Sequence, residues 1–321
     1  MKPLLRVRNL TTRFSLRGQA IPVVDGISFD LHAGKTLALV GESGCGKSVT
    51  ALSLMGILPT PPALPPTGEV LYQGKNLLTL PERKMRRIRG RHLAMIFQDP
   101  MSCLTPVYTI GDQLLEVAYL HLRLKEKGAK ERVIQALHEV QIPDPEARFS
   151  EYPHQLSGGM KQRVMIAMAL LAQPDILIAD EPTTALDVTI QAQILDLIRH
   201  LQQKRGMATL LITHDMGVVA ELADEVAVMY ASKIVERGPV AALFDSPKHP
   251  YTQGLFASRP RTGRLTPIPG TVPPLTHRPP GCPFHPRCPH ATDRCRTGEL
   301  PTATFADGHE TLCHLYQEAP C

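Results

Sequence analysis

Residues 36–58 read TLALVGESGCGKSVTALSLMGIL, in which a short apolar segment, a glycine-rich turn and a helical pattern follow one another. The turn, GESGCGKS, has the form G-x-x-x-x-G-K-[ST], which binds phosphates where it joins a strand to a helix. Its glycines let successive N–H groups face phosphate oxygens, Lys47 supplies positive charge, and the Ser48 hydroxyl is a ligand for Mg²⁺. The residues predicted to contact a nucleotide here are Gly41, Glu42, Ser43, Gly44, Cys45, Gly46, Lys47 and Ser48.

Short apolar segments recur along the first 240 residues and alternate with helical patterns. TLALVG, DILIAD, ATLLIT and EVAVMY are nearly unbroken in apolarity, which suits strands buried on both faces. Before DILIAD, the stretch KERVIQALHEVQI places Val133, Ile134, Leu137 and Val140 at helical spacing. We therefore predict an α/β fold with a mainly parallel sheet and a helical subdomain inserted at about residues 100–172.

Paired carboxylates follow one of these segments, in ILIADEP at residues 176–182. A carboxylate at a strand end can hold Mg²⁺ through water, and the next one can orient or deprotonate an attacking water. We assign Asp180 to the metal and Glu181 to the water. A phosphate-binding loop with an acidic strand end would also fit a kinase, a GTPase or a helicase.

The stretch YPHQLSGGMKQRVMIAMALLAQPDILIADEPTTALD, residues 152–187, separates these classes. It resembles the nucleotide-binding domain of ATP-binding cassette (ABC) proteins, with LSGGM as the family signature, ADEP as the second acidic motif and TALD as the loop after it. LITHDM supplies the switch histidine and MIFQDP a glutamine, and the resemblance covers about residues 4–257. It implies a P-loop NTPase of the ABC type that hydrolyses ATP with Mg²⁺. Its parts would be a mainly parallel sheet core, an antiparallel β subdomain and the inserted helical subdomain.

The signature precedes a helical pattern that runs from about Met160 to Leu171. The N–H groups of Ser157, Gly158 and Gly159, together with the helix dipole, form a second anion site. In the family this site closes on ATP that is bound by the loop of a partner domain. Glutamine is the family residue where this chain has Met160, so a polar side chain is lost while the main-chain donors remain.

Four further roles are implied by position in the family motifs. His214 matches the histidine that contacts the γ-phosphate and helps to hold the water; the alternative is a cap for the following helix. Gln98 matches the residue that touches Mg²⁺ and the water beside the helical subdomain. Asp187 matches the loop that links two ATP sites. Phe14 matches the aromatic residue that stacks on adenine, for which a core phenylalanine is the alternative.

Composition limits where the chain works. Its 321 residues carry a formal charge of +5, with 43% hydrophobic and 20% charged residues, which is globular and only weakly basic. The sequence shows no apolar run long enough to cross a bilayer, and MKPLLRVRNL lacks the features of a signal peptide, so we expect a cytoplasmic chain. The basic stretch RKMRRIRGRH, residues 83–92, suits a solvated helix face better than a surface for phosphates or anionic lipid.

Within the superfamily, MIFQDPMSCLTPVYTIGDQL and SPKHPYTQGL resemble the ATPase subunits of bacterial dipeptide and oligopeptide permeases. The resemblance implies a peripheral subunit at the cytoplasmic face of the inner membrane. Its partners would be a second, non-identical ATPase subunit, two transmembrane permease subunits and an extracytoplasmic solute-binding protein, without direct contact to nucleic acid. Importers of nickel, metallophores and glutathione share this subfamily, so the resemblance leaves the transported solute open. A soluble ABC ATPase acting on nucleic acid or ribosomes fits less well, since those usually carry two cassettes or a long coiled-coil insertion.

The sequence after residue 257 is rich in proline and holds most of the cysteines. Five of the seven cysteines lie beyond residue 281, and in a reducing compartment such clustering favours a metal site over disulfides. Cys282, Cys288, Cys295 and Cys313 could close a zinc site or hold a [4Fe–4S] cluster, and their spacing favours neither firmly. His285, His290 and His314 lie in the same segment and are candidate nitrogen ligands if the metal is zinc.

GCPFHPRCPHATDRC resembles the C-terminal region of peptide-permease ATPases in which four cysteines bind a [4Fe–4S] cluster. The resemblance implies that cofactor, with zinc as the alternative, and a structural role for it in a tail without a core of its own. Cys45, Cys103 and Cys321 would not be ligands. An iron–sulfur electron carrier, as a reading of the whole chain, would leave the ATPase motifs unexplained. We predict an ABC nucleotide-binding domain at residues 1–257 and a metal-binding extension at residues 258–321.

Overall fold

The computed structural model describes residues 2–99, 103–183, 187–257 and 268–316. Cys321 and residues 258–267, with which the predicted extension begins, lie outside these ranges. The strands are β1 Leu5–Leu16, β2 Gln19–Leu31, β3 Thr36–Val40, β4 Thr67–Tyr72, β5 Lys75–Asn76, β6 Leu93–Ile96, β7 Ile176–Asp180, β8 Ala208–Ile212, β9 Glu225–Tyr230, β10 Lys233–Pro239, β11 Thr302–Thr304 and β12 Glu310–Leu312. The α-helices are α1 Lys47–Met55, α2 Glu82–Met85, α3 Ile110–Val117, α4 Glu126–Glu139, α5 Pro145–Phe149, α6 Gly158–Leu170, α7 Val188–Arg205, α8 Met216–Leu222, α9 Val240–Asp245 and α10 Pro250–Ala257.

The chain divides into two compact units. Unit 1 comprises Met1–Leu4, Leu31–Lys35 and Thr79–Leu211, and unit 2 comprises Leu5–Asp30, Thr36–Leu78 and Ile212–Cys321. Among the residues that the structure describes, no helix combines the length and apolarity needed to cross a membrane.

Unit 1 packs helices against neighbouring strands in the order β8-β7-β6, and β6 runs parallel to β7. The predicted segments DILIAD and ATLLIT form β7 and β8, and both strands are buried along their length. In α4 the predicted apolar face is largely confirmed, because Val133 and Leu137 are buried. Ile134 is only partly buried, and Ala136 takes its place in the core. This core is apolar and continuous from α3 through α7.

Local signals in unit 1 explain where its helices begin and end. Thr109 and Asp112 form a reciprocal capping box at the start of α3, and the positive-φ residue Gly206 ends α7. The basic stretch at residues 83–92 overlaps the short helix α2, and its residues range from exposed to partly buried, with Met85 buried. Arg86 and Arg89 pair with Glu82 of α2, and the solvated helix face stays a prediction.

Unit 2 contains an antiparallel sheet in the order β2-β1-β4-β5 and a second set of strands in the order β11-β12-β10-β9-β3. The strands β3 and β9, predicted from TLALVG and EVAVMY, pair in parallel, whereas β9 to β10, β10 to β12 and β12 to β11 pair antiparallel. The proline pattern excludes long helices and central strands from the tail. The tail nevertheless supplies the short edge hairpin β11–β12, which such a pattern allows.

A buried carboxylate attaches the C-terminal hairpin to the rest of unit 2. Glu236 on β10 is 1% exposed, and it accepts hydrogen bonds from the N–H of His249 at 2.9 Å and lies 2.6 Å from Nε2 of His309. The aromatic ring of Phe284 is fully buried against Tyr230 and Tyr251. The tail therefore contributes this aromatic ring to the core of unit 2.

Candidate functional site

The phosphate-binding loop lies in unit 2, between β3 and α1 as predicted. Gly41, Gly44 and Gly46 have φ values of 152°, 79° and 110°, which L side chains rarely adopt. A side chain at Gly41 would collide with the carbonyl oxygen of Met229, and one at Gly46 with that of Val23. The loop thus curls against neighbouring backbone so closely that only glycine fits at these two positions.

Lys47 turns back into the loop. Its Nζ donates to the carbonyl oxygens of Gly41 at 2.8 Å and Glu42 at 3.1 Å, and the residue is 7% exposed. The positive charge that a phosphate requires is therefore held inside the curl. Burial raises the pKa of the Cys45 thiol, although Lys47 opposes the shift, so Cys45 is a packed thiol and not a reactive one. Ser43 and Gly44 are exposed, and Ser48 is partly exposed at the first turn of α1.

Two hydrogen bonds from outside the loop hold its main chain. The N–H of Ser232 donates to the carbonyl of Cys45 at 3.0 Å, and the N–H of Glu42 donates to Oη of Tyr251 at 3.0 Å. Tyr251 is fully buried, with its ring centroid 4.5 Å from that of Tyr230 and 5.5 Å from that of Phe284. The start of the loop is thereby positioned by the aromatic core of unit 2.

Arg287 is a residue of the site that the sequence reasoning missed. Its terminal nitrogens donate to the two carboxylate oxygens of Glu42, at 2.8 and 3.2 Å, and its side chain is 6% exposed. Burial opposes its charge, but hydrogen bonds to Glu42 and Tyr230 outweigh burial and raise the pKa of Arg287. The arginine stands next to Cys288, 245 residues after its partner. An arginine inside an apolar, cysteine-rich segment signals a carboxylate partner, but no local pattern identifies which one.

His214 follows β8 and is exposed. The following helix α8 is capped by Asp215, whose Oδ1 accepts from the N–H groups of Gly217 at 2.7 Å and Val218 at 3.4 Å. The capping role, considered for His214 as the alternative, therefore belongs to Asp215. Phe14, also in unit 2, lies partly exposed on β1. Its stacking on adenine stays a prediction.

Unit 1 places the acidic pair at the end of β7. Asp180 is 4% exposed, and Glu181 follows with φ 46°, a left-handed conformation uncommon for a residue with a side chain. Nε2 of Gln98 donates to Oε2 of Glu181 at 3.1 Å, and the amide of Gln162 donates to the carbonyl of Pro182. Two residues predicted to act on the attacking water are thus in contact, although 83 positions separate them.

The signature motif also lies in unit 1, at the start of α6. This helix begins at Gly158, two residues before the predicted start, because Oγ of Ser157 accepts from the N–H of Met160 at 3.3 Å and caps it. A side chain on Gly159 would approach Cγ2 of Ile190 to 3.0 Å. Asp187 is exposed and immediately precedes α7. Ser157 and Gly158 are exposed, and the anion site at this helix start stays a prediction.

The four candidate cysteine ligands lie in unit 2, where Cys282, Cys288 and Cys295 belong to one apolar cluster. Burial raises the pKa of Cys282 to about 11, and the charges of Cys313, Cys295 and Cys288 add to the shift. Burial likewise raises the pKa of Cys313 to about 11, with contributions from Cys288 and Cys295. Across the described ranges, however, no group of three or more His, Cys, Asp or Glu side chains could hold a metal ion. The described residues thus show no metal site at these cysteines, and the cluster stays a prediction.

The curled loop with its buried lysine, set between a parallel strand and a helix, defines this molecule as a P-loop nucleoside triphosphatase. Residues 24–184 match the ABC transporter family, and residues 235–295 match the C-terminal region of oligopeptide/dipeptide transporters. The chain belongs to the ABC transporter family, and it is an ATPase of the kind whose hydrolysis of ATP drives transport.

Relatives resemble the chain over nearly its whole length. It is 50% identical over 322 residues to the dipeptide transport ATP-binding protein DppD of Bacillus subtilis (strain 168), covering 99% of this chain and 96% of the relative. It is 48% identical to the oligopeptide transport ATP-binding protein AppD of the same strain, covering 99% and 98%.

Solved structures share the fold. The dimeric ATP-binding cassette MJ0796, in a post-hydrolysis state bound to ADP and Pi, matches with a TM-score of 0.65 and 23% identity, over 74% of this chain and 98% of that one. The protein cbiO1 from Clostridium perfringens, part of the transporter complex cbiONQ, matches with a TM-score of 0.64 and 27% identity, over 77% and 92%. The predicted ABC-type ATPase fold is confirmed.

Proposed function

We propose that this protein powers the import of dipeptides or oligopeptides by hydrolysing ATP. The observation that carries the proposal is the extent of the similarity to peptide-transport ATPases. It includes the ABC region and continues through the C-terminal region, where residues 235–295 match that of oligopeptide/dipeptide transporters. A cassette shared with ABC ATPases in general would not account for this second match.

The roles of the site residues belong to the same proposal. Lys47 and the loop amides bind the phosphates, and Phe14 stacks on the adenine. Ser48, Asp180 and Gln98 are the residues that would hold Mg²⁺, which neutralises phosphate charge when it is bound. Glu181 orients the attacking water, and His214 contacts the γ-phosphate. The geometry that supports these roles is the buried lysine in the curled loop and the contact between Gln98 and Glu181.

ATP would join this chain to a second ATPase subunit, non-identical to it. Ser157, Gly158 and Gly159 would face the ATP held by the partner, with Asp187 beside them. The exposed start of α6 supports this arrangement.

We place the chain at the cytoplasmic face of the inner membrane, bound to two permease subunits that receive solute from an extracytoplasmic binding protein. Support comes from apolar side chains that unit 1 leaves exposed around α3, namely Val107 at 73%, Tyr108 at 57% and Leu120 at 66%. Contiguous exposed apolar patches mark interaction sites, and these side chains are the candidates for the permease contact.

The C-terminal extension, residues 258–321, would bind a [4Fe–4S] cluster, and residues 1–257 would form the nucleotide-binding domain. Cys282, Cys288, Cys295 and Cys313 are the residues that would hold the cluster, whose iron–sulfur bonds would cross-link the extension. Support comes from the N–H of Cys282, which donates to the carbonyl of Cys295 at 2.9 Å, and from the apolar cluster that Cys282, Cys288 and Cys295 share. Zinc is the alternative metal at these cysteines. It would bring the four thiolates to within roughly 4 Å of one another, given a Zn–S distance of about 2.3 Å.

Uptake in the native host tests the transport proposal. The gene would be deleted, and uptake of a labelled dipeptide, a labelled tetrapeptide, nickel and glutathione measured. We expect loss of peptide uptake alone, restored by the wild-type chain and by Lys204→Ala but not by Lys47→Ala. Loss of nickel or glutathione uptake with normal peptide uptake would contradict the peptide assignment. It would still support an ATPase subunit of an importer, for a different solute.

Anaerobic purification tests the cluster. We expect a brown protein with about four iron and four sulfide atoms per chain. Replacing any of the four cysteines by serine should abolish the colour, whereas Cys45→Ser and Cys103→Ser should retain it. A colourless protein, with zinc or without metal, would contradict the cluster.

A further inference from the structure

We propose that Arg287 is a positioning residue of the ATP site, which neutralises and orients Glu42 so that the phosphate-binding loop accepts a triphosphate. The inference rests on the proposed role of the loop in binding ATP and extends the site to the C-terminal segment.

The negative charge of Glu42 would repel the phosphates that this loop is proposed to bind. Glu42 is the second residue of GESGCGKS, and its side chain is 29% exposed, so solvent screens its charge only in part. A triphosphate in the same loop brings several negative charges, and like charges at short range repel strongly where water is partly excluded. An unpaired Glu42 would therefore oppose the charge that Lys47 supplies.

Arg287 pairs with both carboxylate oxygens of Glu42 and so neutralises its charge. Its two terminal nitrogens form parallel hydrogen bonds to Oε1 and Oε2 of Glu42, a geometry that a guanidinium can provide and an ammonium cannot. Neither carboxylate oxygen can then rotate away from its donor without breaking a bond. The carboxylate is thereby neutralised and held in one orientation.

The arginine itself is held rigidly. Its Nε donates to the carbonyl of Pro269 at 2.9 Å, and its guanidinium lies 5.8 Å from the ring centroids of both Tyr230 and Phe284. The same aromatic group positions Tyr251, which accepts from the N–H of Glu42. Side chain and main chain of Glu42 are thus fixed by one cluster.

The test is the dissociation constant of ATP in the presence of Mg²⁺, measured on the purified full-length chain by calorimetry. Arg287→Ala should weaken ATP binding about tenfold, because it leaves a charge beside the phosphates without its hydrogen-bonded partner. Adding Glu42→Gln to that variant should return the affinity to within about threefold of wild type, since the repulsive charge is gone. A residue that merely packed the tail would show no such rescue.

A matched control separates the loop from the tail. Arg278 also ties the C-terminal segment to the rest of unit 2, through Asp25 at 3.1 Å and the carbonyl of Pro22, neither of which belongs to the loop. Arg278→Ala should leave ATP affinity unchanged. Equal weakening by Arg278→Ala and Arg287→Ala, or failure of Glu42→Gln to rescue, would overturn the proposal.

Two further variants keep the test decisive. If Arg287→Ala does not fold, as judged by circular dichroism, Arg287→Lys replaces it, and we expect about threefold weaker binding that Glu42→Gln again corrects. Lys47→Ala tests the loop itself. Normal ATP binding by Lys47→Ala would refute the proposed role of the loop in binding ATP. If Lys47→Ala binds ATP weakly while the Arg287 variants bind it normally, only the positioning role of Arg287 is refuted.

Discussion

The side-chain amide of Gln98 donates to Oε2 of Glu181 over 3.1 Å, and Glu181 stands in a left-handed backbone conformation. The glutamine follows β6 and the glutamate follows β7, two strands that run parallel and so end at the same edge. The Glu181 carboxylate, which is predicted to orient the attacking water, is therefore held by a hydrogen bond from Gln98, which follows a different strand.

Glu181→Gln should keep ATP binding and lose hydrolysis. An amide of the same shape can still occupy the turn but cannot take up a proton from water, and general-base removal costs about 10² to 10⁴ in rate. Single-turnover hydrolysis with the partner subunits checks this, with Glu131→Gln on an exposed face of α4 as the control. Undiminished turnover in Glu181→Gln would contradict the assignment.

Gln98→Ala should lower the maximal ATPase rate about tenfold while the dissociation constant of ATP stays within about twofold, since the lost hydrogen bond orients a catalytic group. The rate is measured at saturating ATP in the assembled complex. Gln203→Ala, on an exposed position of α7, should behave as wild type. An equal loss of ATP affinity would mean that Gln98 acts chiefly in binding.

Gly41→Ala should abolish tight ATP binding, and Gly44→Ala should not. A methyl group at Gly41 overlaps the carbonyl of Met229, which belongs to the buried strand β9 and cannot move aside, whereas a methyl group at Gly44 meets nothing within 4 Å. The cost at Gly44 is only the positive φ, about 1 kcal/mol. Calorimetric titration and thermal melting of both variants check this, and similar affinities would show that the loop tolerates a shift.

His249 should make the protein less stable in mild acid. Burial lowers its pKa from 6.5 to about 4, although Glu236 opposes the shift. Below pH 6.5 the unfolded chain binds a proton that the folded His249 does not, so stability falls as the pH drops from 6.5 towards 4.

Urea unfolding at pH 7.5 and 5.5 measures this effect. Wild type should lose about 1 kcal/mol more than His249→Gln between the two values. The exposed His277, replaced by glutamine, should leave the wild-type pH dependence in place. An identical pH dependence in wild type and His249→Gln would mean that His249 does not resist protonation in the fold.

Some of the site could be predicted because its chemistry is local. A strand, a glycine turn and a helix are neighbours in the chain, so TLALVGESGCGKS predicts a curled loop around Lys47, although distant residues such as Ser232 and Tyr251 also hold its main chain. The cap of α8 illustrates the limit, since Asp215 and His214 are adjacent candidates and only the hydrogen bonds of the folded helix show that Asp215 caps it.

The ABC-type ATPase, its phosphate-binding loop and its acidic motif could be predicted from the residues alone, because each motif occupies consecutive positions of the chain. The folded molecule was needed to show that Glu42 pairs with Arg287, that Gln98 contacts Glu181, and that Phe284 of the proline-rich tail packs into the core of unit 2. These contacts join residues that lie far apart in the chain. Burial and charge pairing select such partners after folding brings them together, and no local pattern encodes the choice.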